Sequence, residues 1–207
     1  MREQERLKIY QPKLLIVEGK DEENIFRYWL KKLGLSDVQV MPIGGKTMLN
    51  GNLQLLKSQT NYNYVSHIAI IRDADTNKDG AFQSVCSSIR ALDIIPPSDQ
   101  IIFSNTNPKV KILITCNNEG KGSIENYFYD SVKDKNKFSC IEKFFDCLEE
   151  NNNRFGSSEK KIIAKVYAYL ASDSSTLRLR LGDSVLAGHW DLEHSSFNII
   201  RKFISEW

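Results

Sequence analysis

Five short stretches of the chain are almost wholly apolar or alternate between apolar and polar positions. Between the first of them lie longer segments whose apolar residues recur every three or four positions. Lys13–Val17 is a continuous apolar run, the pattern of a strand buried on both faces. Asp21–Leu33 follows with Ile25, Phe26, Trp29, Leu30 and Leu33 at helical spacing, and Gly34 closes it. Val38–Ile43 alternates and runs into Gly44 and Gly45, which predicts a second strand. Met48–Leu56 predicts a helix, His67–Ile71 a third buried strand, and Ala81–Leu92 another helix. Pro96 and Pro97 break the chain, after which Gln100–Phe103 and Val110–Cys116 predict two more strands.

Strands alternating with helices predict an α/β fold with a largely parallel sheet. Beyond about residue 123 the pattern turns mainly helical: Ile124–Tyr129, Ser139–Glu149, Lys160–Ala171 and Phe197–Ile204. A polar stretch, Asn151 to Arg154, links two of these. The expected layout is an α/β domain over residues 1–130 with a helical C-terminal extension over 131–207 packed on it.

At 207 residues the chain is long enough for a substantial core. Its net charge of +2 gives no sign of a strongly basic nucleic-acid binder, although a local basic groove is compatible with a near-neutral total. No apolar run reaches the ~18–20 residues a membrane helix needs. The first thirteen residues carry no apolar stretch of the secretory kind, so a cytoplasmic protein with reduced thiols is expected. Cys86, Cys116, Cys140 and Cys147 have no CxxC spacing, and the seven-residue step between Cys140 and Cys147 predicts a buried helical face.

The chemistry concentrates at two strand ends. The first strand runs into Glu18 and Gly19, with a helix behind them. In an open parallel sheet, ligands bind beyond the carboxyl ends of the strands. Gly19 allows close backbone approach, and the helix start favours phosphate. The third strand ends in Asp73, Ala74 and Asp75. Residues two apart in an extended chain point the same way, so both carboxylates would face one space, with Arg72 and Ala74 directed elsewhere. A hard cation such as Mg²⁺ or Mn²⁺ would relieve their repulsion. An aspartate at a strand end also serves as a turn or helix-cap residue, and either motif alone carries that plainer reading. Their combination, each after a buried strand, favours a site, provided the two strands are neighbours.

The pair of segments 14–22 and 67–77 resembles the Toprim fold of topoisomerases, bacterial primases and OLD-type nucleases. The resemblance covers residues 13 to about 130. It implies that Glu18 acts as general acid/base or metal ligand and that Asp73 and Asp75 bind metal. The finer likeness is to small stand-alone proteins of the OLD-like branch. There Glu22, four residues after the motif glutamate, and the turn Gly120, Lys121, Gly122, Ser123 leading to Glu125 would complete a second metal position. Gly19, Lys20, Lys121 and Ser123 would then lie against phosphate.

Five carboxylates suffice for two ions, the arrangement that stabilises both the attacking and the leaving oxygen of a phosphodiester. The resemblance thus implies a Mg²⁺- or Mn²⁺-dependent nuclease acting on DNA or RNA. It also implies a separate AAA/ABC-type ATPase subunit and a part in defence against phage. No tyrosine is placed as a topoisomerase nucleophile, and a primase would need further domains. Two alternatives stand beside it: a nuclease that processes structured RNA, and a non-catalytic module that binds nucleic acid or a partner protein.

Weaker signals change little. Residues 43–47 resemble the end of a phosphate-binding P-loop, but the leading glycine is replaced by Val40, which excludes ATP hydrolysis by this chain. Lys46 there is a solvated turn lysine or a phosphate contact. His189 and His194 flank Trp190 at no metal-ligand spacing, so a turn with Trp190 packed inward is expected. Tyr62, Tyr64, Tyr127 and Tyr129 are packing residues or base-stacking platforms.

Overall fold

A computed structural model describes residues 7–45, 47–153 and 155–207. Lys46 and Arg154 lie outside the described residues. Four strands, β1 (Lys13–Val17), β2 (Val38–Pro42), β3 (His67–Asp73) and β4 (Lys109–Thr115), form one sheet in the order β2-β1-β3-β4. All three pairings are parallel. Among the described residues the helices are α1 (Lys20–Lys32), α2 (Leu49–Lys57), α3 (Lys78–Arg90), α4 (Glu125–Val132), α5 (Phe138–Glu150), α6 (Ser158–Ala171), α7 (Leu181–Leu186) and α8 (Asn198–Ser205). The α/β class with a parallel sheet and a C-terminal helical region is therefore the observed architecture.

The side-chain period of two divides each strand between two cores. Leu15, Val17, Ala69, Ile71 and Leu113 face one core, while Leu14, Ile16, Ile68, Ile70 and Ile112 face the other. Helix α1 covers the first face through Ile25, Phe26, Trp29 and Leu30. Helices α2 and α3 cover the second through Leu49, Leu53, Leu56, Val85 and Ile89. The chain moves outward from β1 to β2 over one face, then returns past β1 to β3 over the other. β1 and β3 therefore flank the point where the winding reverses.

The C-terminal helices share the first core. Phe128, Phe138, Phe145, Val166, Leu181, Trp190, Phe197 and Phe203 belong to the same cluster as Leu15 and Val17. Trp190 is buried as expected, edge-on to Phe128 at 4.8 Å, and its indole N–H donates to Ser184 Oγ at 2.7 Å.

Two expectations are corrected. Gln100–Phe103 is not a strand but a bent segment with Ile101 at φ 72°. It still occupies the outer edge of β4, where Ile101 N–H donates to the Ile112 carbonyl at 2.9 Å and the Gln100 side chain accepts from Ile114 N–H at 2.9 Å. The positive φ breaks the extended run that the apolar pattern suggested. Cys140 and Cys147 are exposed, because the inward stripe of α5 is Phe138, Ile141 and Phe145. A seven-residue repeat marks one face of a helix without saying whether that face is the buried one. All four cysteines are unpaired.

No helix among the described residues is long and apolar enough to cross a membrane.

Candidate functional site

The neighbouring of β1 and β3, on which the combination of motifs depends, is observed. Register pairs Ile16 with Ile70, so Glu18, just past β1, comes level with the end of β3. Glu18 Oε1 lies 3.4 Å from Asp73 N, which donates to it, and 3.8 Å from Arg72 Nε. Arg72 is buried, and its Nη1 donates to Ser84 Oγ on α3 at 2.9 Å. No hydrogen-bond partner of Arg72 Nε is found among the described residues, which leaves its charge directed at Glu18.

Asp73 sits one strand further in. Its register partner is Thr115, the last residue of β4, whose hydroxyl donates to Asp73 Oδ1 at 2.5 Å. Ile124 N–H donates to the same oxygen at 3.0 Å. The loop after β4 is thus fastened to the end of β3. Asp75 and Gly122 exchange backbone hydrogen bonds of 3.0 and 2.7 Å, and Lys78 N–H donates to the Gly120 carbonyl at 2.9 Å.

Gly122 is required twice over. Its φ of 102° is open to glycine and strained for other residues, and a Cβ there would fall 2.0 Å from Asn126 Oδ1. That oxygen accepts from Ser123 N–H at 2.9 Å, and Ser123 Oγ donates to Glu125 Oε2 at 2.5 Å. The turn therefore delivers Glu125 at the first position of α4.

The fourth carboxylate comes from α1. Glu22 folds back so that Gly19 N–H donates to its Oε2 at 3.1 Å, the carboxylate half of a capping box. Helix α1 is held in place by the late segment of the chain. A Cβ on Gly182 of α7 would lie 2.6 Å from the Asp21 carbonyl oxygen, so the two helices meet backbone to backbone. Arg180 pairs with Asp21 at 2.9 Å, and Asn24 Nδ2 donates to Asp183 at 2.9 Å. Residues 180–183, to which the sequence assigned no role, thus position the helix that carries Glu22.

These carboxylates feel one another. Burial pushes the Asp73 carboxyl well above the usual carboxylate range. The charges of Glu125, Glu22 and Glu18 push the same way, against the hydrogen bond from Thr115. Burial likewise raises Glu22, and Glu125, Glu18 and Asp21 raise it further.

The structure therefore draws Glu18, Glu22, Asp73 and Glu125 into one electrostatic group. Asp75 stands differently. β3 ends at Asp73, and Asp75 is exposed in a turn at φ 52°, so the extended-chain geometry does not reach it. Of the expected phosphate contacts, Gly19 N–H is engaged by Glu22, and Ser123 Oγ by Glu125. Lys20 donates to Glu23 at 2.9 Å, and Lys121 is exposed in the turn closed by Asn117.

The donor set is all carboxylate oxygen, which suits Mg²⁺ or Mn²⁺ and not a soft metal. Its mutual repulsion in a half-buried cleft is the condition a divalent cation relieves. The donors influence one another electrostatically but do not converge on a point: among the described residues no three Asp, Glu, His or Cys side chains are placed to hold a metal ion together. In chemical type and charge the residues fit such an ion.

Arg72, Thr115 and Asn126 are the residues that sequence reasoning missed. Arg72 had a readable signal, since a charge at the end of a strand buried on both faces demands a partner. Asn126 had one too, three residues after Ser123 at a helix start.

The fold and cleft define an open parallel α/β protein with an acidic site at its winding reversal. The chain belongs to the family described as "Protein of unknown function (DUF3226)", which it matches over residues 12–207. No curated protein matches the sequence. Among solved structures, it is similar to the hypothetical protein PH0156 from Pyrococcus horikoshii OT3. That likeness has a TM-score of 0.61 at 17% identity and covers 95% of each chain. It is also similar, at a TM-score of 0.40 and 11% identity, to the C-terminal region of the OLD protein from Xanthomonas campestris pv. campestris, covering 97% of this chain and 88% of that one. At such identities the first likeness speaks for the fold alone.

Proposed function

We propose that this protein is a metal-dependent nuclease of the Toprim type that hydrolyses phosphodiester bonds in DNA or RNA. The observation that carries the reading is Asp73: a half-buried carboxylate at the end of a parallel strand, with desolvation and three further carboxylates raising its proton affinity. Folding has tolerated a repulsion that a structural role does not need. Glu18, Glu22, Asp73 and Glu125 would hold the ion, with Asp75 at the exposed margin. When bound, a divalent ion supplies polarisation of the phosphoryl oxygens and compensation for charge on the leaving oxygen.

The chain's own residues do the rest. Thr115 and the Ile124 N–H fix the orientation of Asp73. Arg72, anchored on Ser84, and the Asp73 N–H hold Glu18 at the mouth of the cleft. There Glu18 is half-exposed and stands where it can accept a proton from an attacking water. Ser123 orients Glu125.

The test is incubation of wild type, Glu18→Gln and Asp73→Asn with plasmid, linear DNA and tRNA in Mg²⁺ or Mn²⁺. Each substitution should lower cleavage by about 100-fold or more, the equivalent of ~3 kcal/mol in the barrier. Equal cleavage by all three proteins would refute this site. Preference for tRNA would favour the structured-RNA reading. Dependence on an added AAA/ABC-type ATPase would identify the subunit that this chain, with Val40 in place of the P-loop glycine, would need in trans.

A further inference from the structure

A groove of about 710 Å³ opens directly beside Glu18 and Gly19 and runs outward past Lys20, Arg27 and Gln39 to Tyr10. A second hollow of about 440 Å³ continues it past Lys31 toward Ser36. The two share Arg27, Gln39 and Val40, so they form one channel between α1 and β2, an end strand of the sheet.

Its charge changes along its length. Near Glu18 it belongs to the acidic cleft. Further out, Glu23 is buried and its single carboxylate is shared by Lys20 at 2.9 Å and Arg27 at 2.7 Å. One of those two positive charges is therefore surplus, and Lys31 adds another. Lys20, Arg27 and Lys31 fall along one stripe of α1, at steps of seven and four residues. Beside them Tyr10 is 67% exposed, with Lys8 Nζ 5.5 Å from its ring centre. The Tyr10 N–H donates to the Gln39 side chain at 2.7 Å, which anchors the tyrosine backbone to the channel wall.

We propose that this channel seats a single-stranded polynucleotide, with phosphates along the α1 stripe and a base on Tyr10. This deepens the nuclease reading and rests on it: the strand would lead its scissile phosphodiester to Glu18. A line of surplus cations beside an exposed aromatic platform is the combination that binds single strands without sequence preference. A duplex needs the same phosphates but offers no open base face to Tyr10.

The experiment separates binding from cleavage by working in EDTA. Fluorescein-labelled oligothymidylate and oligouridylate of about 15 nucleotides, and a duplex of the same length, are titrated with protein and followed by anisotropy. Both single strands should bind more tightly than the duplex; a preference between the two tells DNA from RNA. Tyr10→Ala should weaken single-strand binding by about 5- to 100-fold. The double variant Lys20→Glu/Lys31→Glu should lower the salt dependence by about one unit of log–log slope per lysine. Lys143→Glu, on the exposed face of α5, should change neither. Melting curves check that each variant is folded.

Absence of single-strand binding, equal or tighter duplex binding, or insensitivity to both groove variants would overturn the proposal. Groove-dependent binding without cleavage in Mg²⁺ would uphold the channel and refute the nuclease. Cleavage that ignores the groove variants would do the reverse.

Discussion

Two charges, one fully buried and one half-buried, lie four residues apart along the same pair of strands, on the same face, and their surroundings differ in kind. Lys111 on β4 is paired in register with Ala69, and Asp73 with Thr115. Lys111 is fully buried, yet its ammonium donates to the carbonyls of Phe203 and Glu206 at the end of α8. It is ringed by Phe103, Phe203 and Trp207 at 4.6, 4.6 and 4.8 Å. A helix C-terminus and aromatic faces both favour a cation. Asp73 is also well packed, but the charges around it are carboxylates of its own sign. Burial opposes both charges, but Lys111 is surrounded by acceptors and ring faces that suit a cation and so serves as a fastening, whereas Asp73 is surrounded by like charge that a bound cation would relieve.

The largest test of this contrast is to remove the satisfied charge. Lys111→Ala leaves two carbonyls without their donor and a void inside the aromatic ring, at the point where the C-terminal helix is tied to the sheet. It should cost about 3–5 kcal/mol, read as a shift of the denaturation midpoint in urea. A shift near zero would mean that the rings and helix end do not hold the ammonium.

Next in size is the frame of the frustrated site. Gly122→Ala places a Cβ into Asn126 at a φ that only glycine accepts comfortably. About 2–3 kcal/mol should be lost, with cleavage falling alongside because Glu125 and the Ile124 N–H are displaced. Full activity in this variant would show that the turn does not position the acidic group.

The smallest effect has the opposite sign. Asp73→Asn keeps an oxygen for Thr115 and Ile124 while removing the repelled charge. In metal-free buffer near neutral pH it should stabilise the protein by about 1 kcal/mol, a rise in Tm of about 2–4 °C, while abolishing cleavage. The pH dependence follows from the raised proton affinities of Asp73 and Glu22. Between the ordinary carboxylate range and their raised values, the folded state holds more protons than the unfolded one. Stability of the wild type should therefore fall as pH rises through that window, and Asp73→Asn should flatten the fall.

Lys111 works the other way. Burial lowers it from 10.5 to about 8, so between those values the unfolded chain holds more protons and stability rises with pH. Melting curves across pH separate the two. A wild type whose Tm climbs between the carboxylate range and neutrality would contradict the account of Asp73.

Much of this was readable from residue order. The apolar runs at Lys13–Val17 and His67–Ile71 are strands because their residues are buried on both faces, and continuous apolarity is what double burial demands. Gly34 marks a helix end by local chemistry, whereas the cap at Asn77, which starts α3 three residues before the expected Ala81, was seen only in the structure. The Gln100–Phe103 segment was misread because apolar residues along a covered edge look like a strand whether or not the backbone is extended. The exposed Cys140 and Cys147 were misread because periodicity does not name the side that faces inward.

By itself, then, the sequence determined the four strands, most of the helices and the strand-end positions of Glu18 and Asp73, since these follow from local periodicity and from where apolar runs stop. Tertiary structure alone decided that β1 lies beside β3, that Glu22 and Glu125 come within electrostatic reach of Asp73, and that Arg72 turns its charge toward Glu18. It also decided that residues 180–183 hold α1 in place and that Lys111 is a fastening. Those are relations between residues tens of positions apart. The energies that set them, like-charge repulsion, desolvation and backbone-to-backbone contact, depend on distance in space, which no local pattern encodes.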